Sequence, residues 1–419
     1  MPDRRDDAMI SSEESEALRR PGVDSGYAWL RLGAAVLLST IGGVGMWSVV
    51  VALPAVQAEF AVPRAAASLP YTLSMFGFAF GGVVIGRLVD RFGIALPVVG
   101  GAIALSLGYV AAGHAASLGQ FAAAHGLLIG VGSAATFGPL IADISHWFLR
   151  RRGIAVAICA AGNYFAGTVW PPVVEHFIAT AGWRPTHVGI GLFCLVAMLP
   201  LVLVLRRRPP LSDAAAEDAA GASLGALSLS PSALQALLVV AGFACCAAMS
   251  MPQVHIVAYC GDLGYGVARG AQMLSLMLAF GVVSRIASGF IADGIGGLAT
   301  LLLGSLLQGT ALVLYLLFDG LVSLYVVSAL FGLFQGGIVP MYAIIVREYF
   351  PPQEAGTRFG LVLMATLLGM AFGGWISGAI FDLTGSYRSA FANGLLWNLL
   401  NGSIVLWLLL RRRARVAVA

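Results

Sequence analysis

The chain contains no lysine: all 24 basic residues are arginine, and charged side chains of both signs make up only 11% of 419 residues. Ordinary soluble domains carry about 25% charge, so a water-facing shell around a single buried core is excluded. Long polar stretches are scarce as well. Apart from the first 26 residues and the segment from Arg206 to Pro231, apolar runs follow one another along the chain. Each holds about 20 residues, enough to cross ~30 Å of hydrocarbon as a helix. No cluster of His, Cys and carboxylate stands at metal spacing, and no nucleophile, base and orienter set is present, so the expectation is no metal, no cofactor and no enzymatic reaction. Five cysteines (Cys159, Cys194, Cys245, Cys246 and Cys260) lie in or near apolar runs. Being odd in number and without metal spacing, they are expected to be reduced packing residues. The first 26 residues hold both charge signs and lack the apolar middle of a signal peptide.

What is present is hydrophobic: 59% of the residues, with a mean hydropathy of +0.89. Spans are expected at residues 28–53, 68–88, 94–113, 119–143, 153–177, 186–205, 234–259, 270–291, 297–317, 321–346, 358–381 and 388–410. The fold class that follows is an all-α membrane protein of twelve transmembrane helices in two six-helix halves. A disordered tail (1–27) precedes the first half (28–205), a linker (206–233) leads to the second (234–410), and a basic tail (411–419) ends the chain. Arg64, Arg184, Arg269 and Arg388 fall on one side of this topology and Arg285 falls inside a span, while every other arginine falls on the other side. The inside-positive bias makes that side cytoplasmic, with both termini, in an inner membrane. The net charge of +4 is thereby a topology signal, and no nucleic-acid partner is expected.

The halves repeat one another. Gly86, Asp90 and Gly93 at the end of span two match Gly289, Asp293 and Gly296 at the end of span eight at a constant offset of 203, and Trp147-Phe148 matches Tyr349-Phe350 at 202. A parallel repeat of this kind points to a carrier whose halves rock about a central site. Small-residue stripes at Gly77, Gly81, Gly82 and Gly86 in span two and at Gly369, Gly373, Gly374 and Gly378 in span eleven allow close helix approach. With Gly162 and Ala166 in span five and Gly281 and Gly289 in span eight, they are expected either at the seam between the halves or in static packing.

Arg285 is the most informative residue. An arginine at the bilayer centre costs at least ~2.5 kcal/mol and must face protein or a water-filled cavity. Its helical face carries Gly281, Val282, Ser288 and Gly289, which leave space before the guanidinium. No carboxylate lies mid-span elsewhere: Asp143 and Glu175 are near span ends, Asp90 and Asp293 in or beside loops. Two readings remain open, a bidentate contact to a substrate carboxylate and a structural arginine capped by carbonyls or an end-of-helix acid. Further polar candidates for the substrate site are Gln253 and His255 in span seven, Asn163 and Trp170 in span five, and Gln335 and Tyr342 in span ten. His255 fits either a proton carrier or a hydrogen-bonded structural histidine. Two residues apart, Gln253 and His255 cannot share a helical face, so one of them lines the cavity. Pro171-Pro172, after Trp170, is expected to kink or break span five.

The segment Gly86-Arg-Leu-Val-Asp-Arg-Phe-Gly93 resembles the loop signature of the major facilitator superfamily. The resemblance implies that Asp90 meets the N-terminus of span eleven, that Arg91 pairs with Asp143, and that these contacts, with Gly86, Gly93 and the repeat-related Asp293, lock a cytoplasmic gate. Asp24-Ser-Gly-Tyr-Ala-Trp29 is similar to the motif leading into span one of monocarboxylate transporters, departing at Ser25 and Tyr27. Trp147-Phe-Leu-Arg-Arg-Arg-Gly-Ile-Ala155, continuing to Ala161-Gly162-Asn163, looks like that family's second signature. Arg285 with Gly289 falls where these transporters and the related oxalate/formate antiporters carry a substrate-binding arginine. Gly281 stands where the proton-coupled members have an aspartate, Thr366 where the oxalate antiporter has a second cation, and Ala55 where monocarboxylate transporters have a lysine. One buried cation suits a monoanion better than a dianion. The resemblance therefore implies a carrier of a small organic anion, a monocarboxylate by preference, with protons or a counter-anion as coupled species and the lipid bilayer as surroundings. Efflux of lipophilic compounds is the alternative, and a monomer is the default.

Overall fold

Residues 22–148, 151–207 and 229–416 are described in the computed structural model, and at Asp90, Arg152, Gly153 and a few other helical positions only the backbone is. The described chain folds into twelve apolar helices long enough to cross a membrane. They are α1 (Gly26–Phe60), α2 (Arg64–Phe92), α3 (Ala95–Gly113), α4 (Leu118–Ser145), α5 (Arg152–Ala181), α6 (Trp183–Leu203), α7 (Pro231–Asp262), α8 (Val267–Ile295), α9 (Gly297–Leu317), α10 (Leu321–Tyr349), α11 (Pro352–Thr384) and α12 (Tyr387–Val416). No strand occurs among the described residues. An even number of spans puts residues 22 and 416 on one side, called here the termini face.

Most of the expected tail and linker, residues 1–21 and 208–228, lies outside the described residues. The tail was expected to extend to residue 27, but its last residues are docked. Asp24 N–H donates to Trp147 O at 3.0 Å, and Ser25 Oγ caps α1 by accepting from Ala28 N–H at 3.2 Å. Tyr27 and Trp29 then lay their rings on Trp147 and Phe148.

The repeat is visible in backbone geometry. Gly93 and Gly296, offset by 203, end α2 and α8 at φ +77° and +83°, a region that favours glycine. α5, expected to kink or break at Pro171-Pro172, is one uninterrupted helix from Arg152 to Ala181. Pro172 cannot donate to Thr168 O, four residues back, and the Ser275 hydroxyl of α8 donates to that carbonyl instead. A donor from the other half thus satisfies the acceptor that the proline leaves free.

The seam between the halves is built by α2 against α11 and α5 against α8, with α1 facing α7. Hydrogen bonds cross it at several levels: Arg64 and Ala65 to Asp382 at the face opposite the termini, Thr72 to Ala371 O, Ser275 to Thr168 O, and Arg285 to Ala160 O. Toward the termini face nothing lies within 4 Å of where a side chain would start at Gly82, Gly86, Gly289, Gly356 or Gly360. The halves are tied together by hydrogen bonds at the opposite face, while these glycines of α2, α8 and α11 toward the termini face stand beside open space.

The glycine stripes divide between the two expected roles. Gly77 and Gly81 pack on α4 within their own half, Gly162 packs on Ser39 of α1, and Gly369 and Gly373 pack on α7. Gly374 and Gly378 meet Tyr71, Arg64 and Ala65 of α2, and Gly281 meets Tyr164 of α5, so these three form the seam.

Candidate ligand site and gating contacts

α10 breaks at Gly336 and Gly337 between two helical stretches. The break frees backbone groups at membrane depth, and α8 takes them up: Ser284 Oγ accepts from Gly337 N–H at 3.0 Å, and Arg285 Nε donates to Gly336 O at 3.3 Å. Side chains at Gly332, Gly336 or Gly337 would run into Met277, Gly281 or Ser288 of α8, so glycine is what lets the helices approach this closely. Arg285 also donates from Nη1 to Ala160 O of α5 at 3.0 Å, across the seam. Its Cζ sits 4.1 Å from the centroid of the Tyr164 ring, also on α5. The ring occupies the space above Gly281, and any side chain there would strike it. A guanidinium over an aromatic face gains about 0.5–2 kcal/mol according to its desolvation. Tyr164 Oη donates to Gln335 Oε1 at 3.4 Å, and Gln335 Nε2 is buried with no hydrogen-bond partner. Arg285 Nη2 likewise makes no hydrogen bond to a described residue. One site thus holds a half-committed guanidinium, an unsatisfied amide donor and a tyrosine, contributed by α5, α8 and α10.

Of the expected substrate residues, only Arg285 and Gln335 meet here. Asn163 faces α1, where its Oδ1 accepts from Trp47 Nε1 at 3.3 Å. Trp170 donates to Thr40 O of α1 at 2.8 Å and packs edge-on against Phe193 of α6, within the first half rather than in the central path. Tyr342 is fully buried in the second half and donates to Asn401 Oδ1 at 3.0 Å; Asn401 in turn donates to Ser305. Polar atoms at membrane depth find internal partners, and these three have done so. Gln253 is buried, 2% exposed, and its side chain has no hydrogen bond to a described residue. His255, 0% exposed, donates from Nε2 to Gly374 O at 2.8 Å and lies beside Tyr387 near the opposite face. Tyr164 was not anticipated. An aromatic residue one turn past Ala160, in the span expected to face span eight, is the signal that could have found it.

The expected gate pairs differ. Asp143 does not pair with Arg91: its two oxygens accept from Arg31 Nε and Nη2, both at 2.7 Å, with Arg31 0% exposed. Arg31 also donates to Val204 O at 3.2 Å and stacks on Trp147 at 4.6 Å, binding α1, α4 and α6 together. Arg31 is thus a buried structural cation, although its position in the sequence fits a topology charge. Arg91 is exposed and lies over Phe92, 5.2 Å from the ring centroid. The Asp90 side chain lies outside the described residues. Asp293 is exposed on α8, and nothing lies within 4 Å of where a side chain would start at Gly86. Gly93 ends α2 in the positive-φ region. All five cysteines are buried free thiols.

The family model described as Major Facilitator Superfamily matches residues 35–323 and 294–418. Monocarboxylate transporter 13 of Bos taurus is 29% identical over 385 residues, covering 90% of this chain and 88% of that protein. Monocarboxylate transporter 11 of Homo sapiens is 28% identical, covering 91% and 82%. The MFS-type transporter pynF of Aspergillus niger is 24% identical, covering 74% and 71%. Among solved structures, the nucleoside transporter NupG superposes with a TM-score of 0.71 at 12% identity, covering 91% of this chain and 99% of that one. An inward-facing bacterial homologue of the lysosomal transporter Spinster superposes with a TM-score of 0.66 at 17% identity, covering 93% and 96%. Likenesses this distant in sequence bear on the fold alone.

Proposed function

From the premise that this chain belongs to the Major Facilitator Superfamily, in its monocarboxylate transporter-like branch, we propose that it carries a small organic monoanion, a monocarboxylate by preference. It is a multi-pass membrane transporter and a carrier rather than an enzyme, as its family entails. The observation that carries the anion proposal is the pairing of Arg285 with carbonyls and a ring instead of an acid. A guanidinium so placed has no carboxylate partner among the described residues, and Nη2 together with Gln335 Nε2 offers two donors to a carboxylate. Names of relatives support the substrate class, and the arginine bias supports an inner-membrane location with cytoplasmic termini.

Binding and movement are coupled in this proposal through the Arg285 to Ala160 bond. A carboxylate that takes Nη1 and Nη2 as a fork, with one oxygen also accepting from Gln335 Nε2, displaces Ala160 O and loosens α5 from α8. Exchange against a second anion would then need no further charged group. The test is uptake and exchange by purified protein in liposomes, with a panel of labelled monocarboxylates. Saturable uptake that disappears in Arg285→Ala is expected. Wild-type uptake by that variant, or movement of lipophilic cations with no anion transport, would discard the proposal.

A further inference from the structure

At the face opposite the termini, one arginine from the first half enters a pocket of the second. Arg64, 7% exposed, donates from Nη1 to Tyr387 Oη and from Nη2 to Asp262 Oδ1 at 3.3 Å, and its guanidinium lies over the Phe381 ring. Its own N–H and that of Ala65, the first two of α2, donate to the two oxygens of Asp382 at 2.8 and 2.7 Å. A carboxylate of one half therefore caps a helix of the other. Below this cluster lies His255. Because its Nε2–H is committed to Gly374 O, the lone pair is on Nδ1, and Nδ1 faces Tyr387 Oη at 3.5 Å. Tyr387 can accept from Arg64 and donate to His255 at once, linking a fully buried imidazole to a latch whose carboxylates reach solvent.

We propose that His255 is the proton-binding site of this latch, and that its protonation opens the face opposite the termini. A proton from solvent that settles on Nδ1 converts the acceptor into a donor. Tyr387 Oη then receives hydrogens from both Arg64 and His255, its own hydroxyl hydrogen loses its acceptor, and a second positive charge stands behind the Arg64 guanidinium. Among the described residues, the ionisable groups that act on His255 are Arg64 of α2, Asp382 of α11 and Tyr387 of α12, while Tyr259 and Asp262 of its own helix touch Tyr387 and Arg64. The closed latch belongs to the neutral imidazole and is lost as pH falls through its titration. Repeated once per cycle, this would make a proton taken up at that face the coupled ion. The inference needs the two-half carrier architecture but not the anion site at Arg285, so either can fail alone.

The test uses spin labels on Ala61→Cys and Leu383→Cys in the full chain in lipid nanodiscs, without substrate, the native thiols being buried. In the otherwise unaltered protein the fraction with parted ends should rise by up to about tenfold per pH unit as pH falls through the titration of one imidazole. His255→Gln, which keeps a donor for Gly374 O, should flatten that response. Tyr387→Phe, which keeps the ring and leaves Arg64 its two aspartates, should flatten it too and serves if the histidine variant does not fold. A pH response retained in both variants would assign the effect to Asp262 or Asp382 and overturn the proposal. A pH-independent distance in the unaltered protein would overturn it as well.

Discussion

Across the seam between the halves, the guanidinium of Arg285 lies 4.1 Å from the centre of the Tyr164 ring, in the space that Gly281 leaves open. Where the resemblance to proton-coupled monocarboxylate transporters leads one to expect an aspartate, this chain spends the volume on a neutral aromatic face. The ring holds the cation in place without neutralising it, and so leaves the charge to a ligand. Gly281→Asp should reverse this. The new carboxylate would displace the ring and pair with Arg285 one turn away, weakening anion binding. A charge-assisted hydrogen bond contributes about 1.5–3 kcal/mol, so the apparent Kd, read by thermal shift against monocarboxylates, should rise roughly tenfold or more.

The seat of Arg285 depends on how closely α8 and α10 approach. Gly336→Ala would push a methyl into the Gly281 backbone, and Gly332→Ala one into Met277 O. Overpacking of this kind costs about 1–3 kcal/mol. Both variants should melt lower than the unaltered protein in the same detergent. Gly82→Ala, with nothing within 4 Å, should leave the melting temperature unchanged.

Arg31 and Asp143 form a buried bidentate pair with side-chain exposures of 0% and 5%. Removing one partner strands the other's charge, a loss of about 3–5 kcal/mol, whereas replacing both with apolar residues of similar volume is often neutral. Arg31→Met and Asp143→Leu should each lower the melting temperature, and the double variant should recover most of the loss. Additive losses would mean that Arg31 acts mainly through Val204 O and Trp147.

Hydropathy made the twelve spans legible, and the repeat read from the glycines has a backbone counterpart, since Gly93 and Gly296 both end their helices at positive φ; length and positive φ are local demands. Partners are not local. Arg31 and Asp143 lie 112 residues apart, and nothing near Arg31 distinguishes it from an arginine anchored at the membrane surface. Trp170 and Tyr342 were candidates because polar groups at membrane depth are costly. The cost is met inside each half by Thr40 O and Asn401, and one sequence does not say which face of a helix looks inward. The Arg64 latch stayed hidden for the same reason: Arg64 falls where a loop arginine belongs, and its partners come from three helices of the other half.

Gln335 separates ligand binding from stability most cleanly. Its Oε1 accepts from Tyr164 while its Nε2 stays buried without a partner. A buried donor left unsatisfied costs about 1–3 kcal/mol, so the amide is a liability that a bound acceptor removes. Gln335→Leu, similar in volume, should leave the ligand-free melting temperature equal or higher while reducing the shift produced by a transported monocarboxylate. Gln335→Glu should weaken binding further, since it sets a carboxylate beside the guanidinium where the substrate's own would lie. A leucine variant that melts lower without ligand and binds normally would mark Gln335 as a packing residue, and the second donor of the site would have to be sought elsewhere along α10.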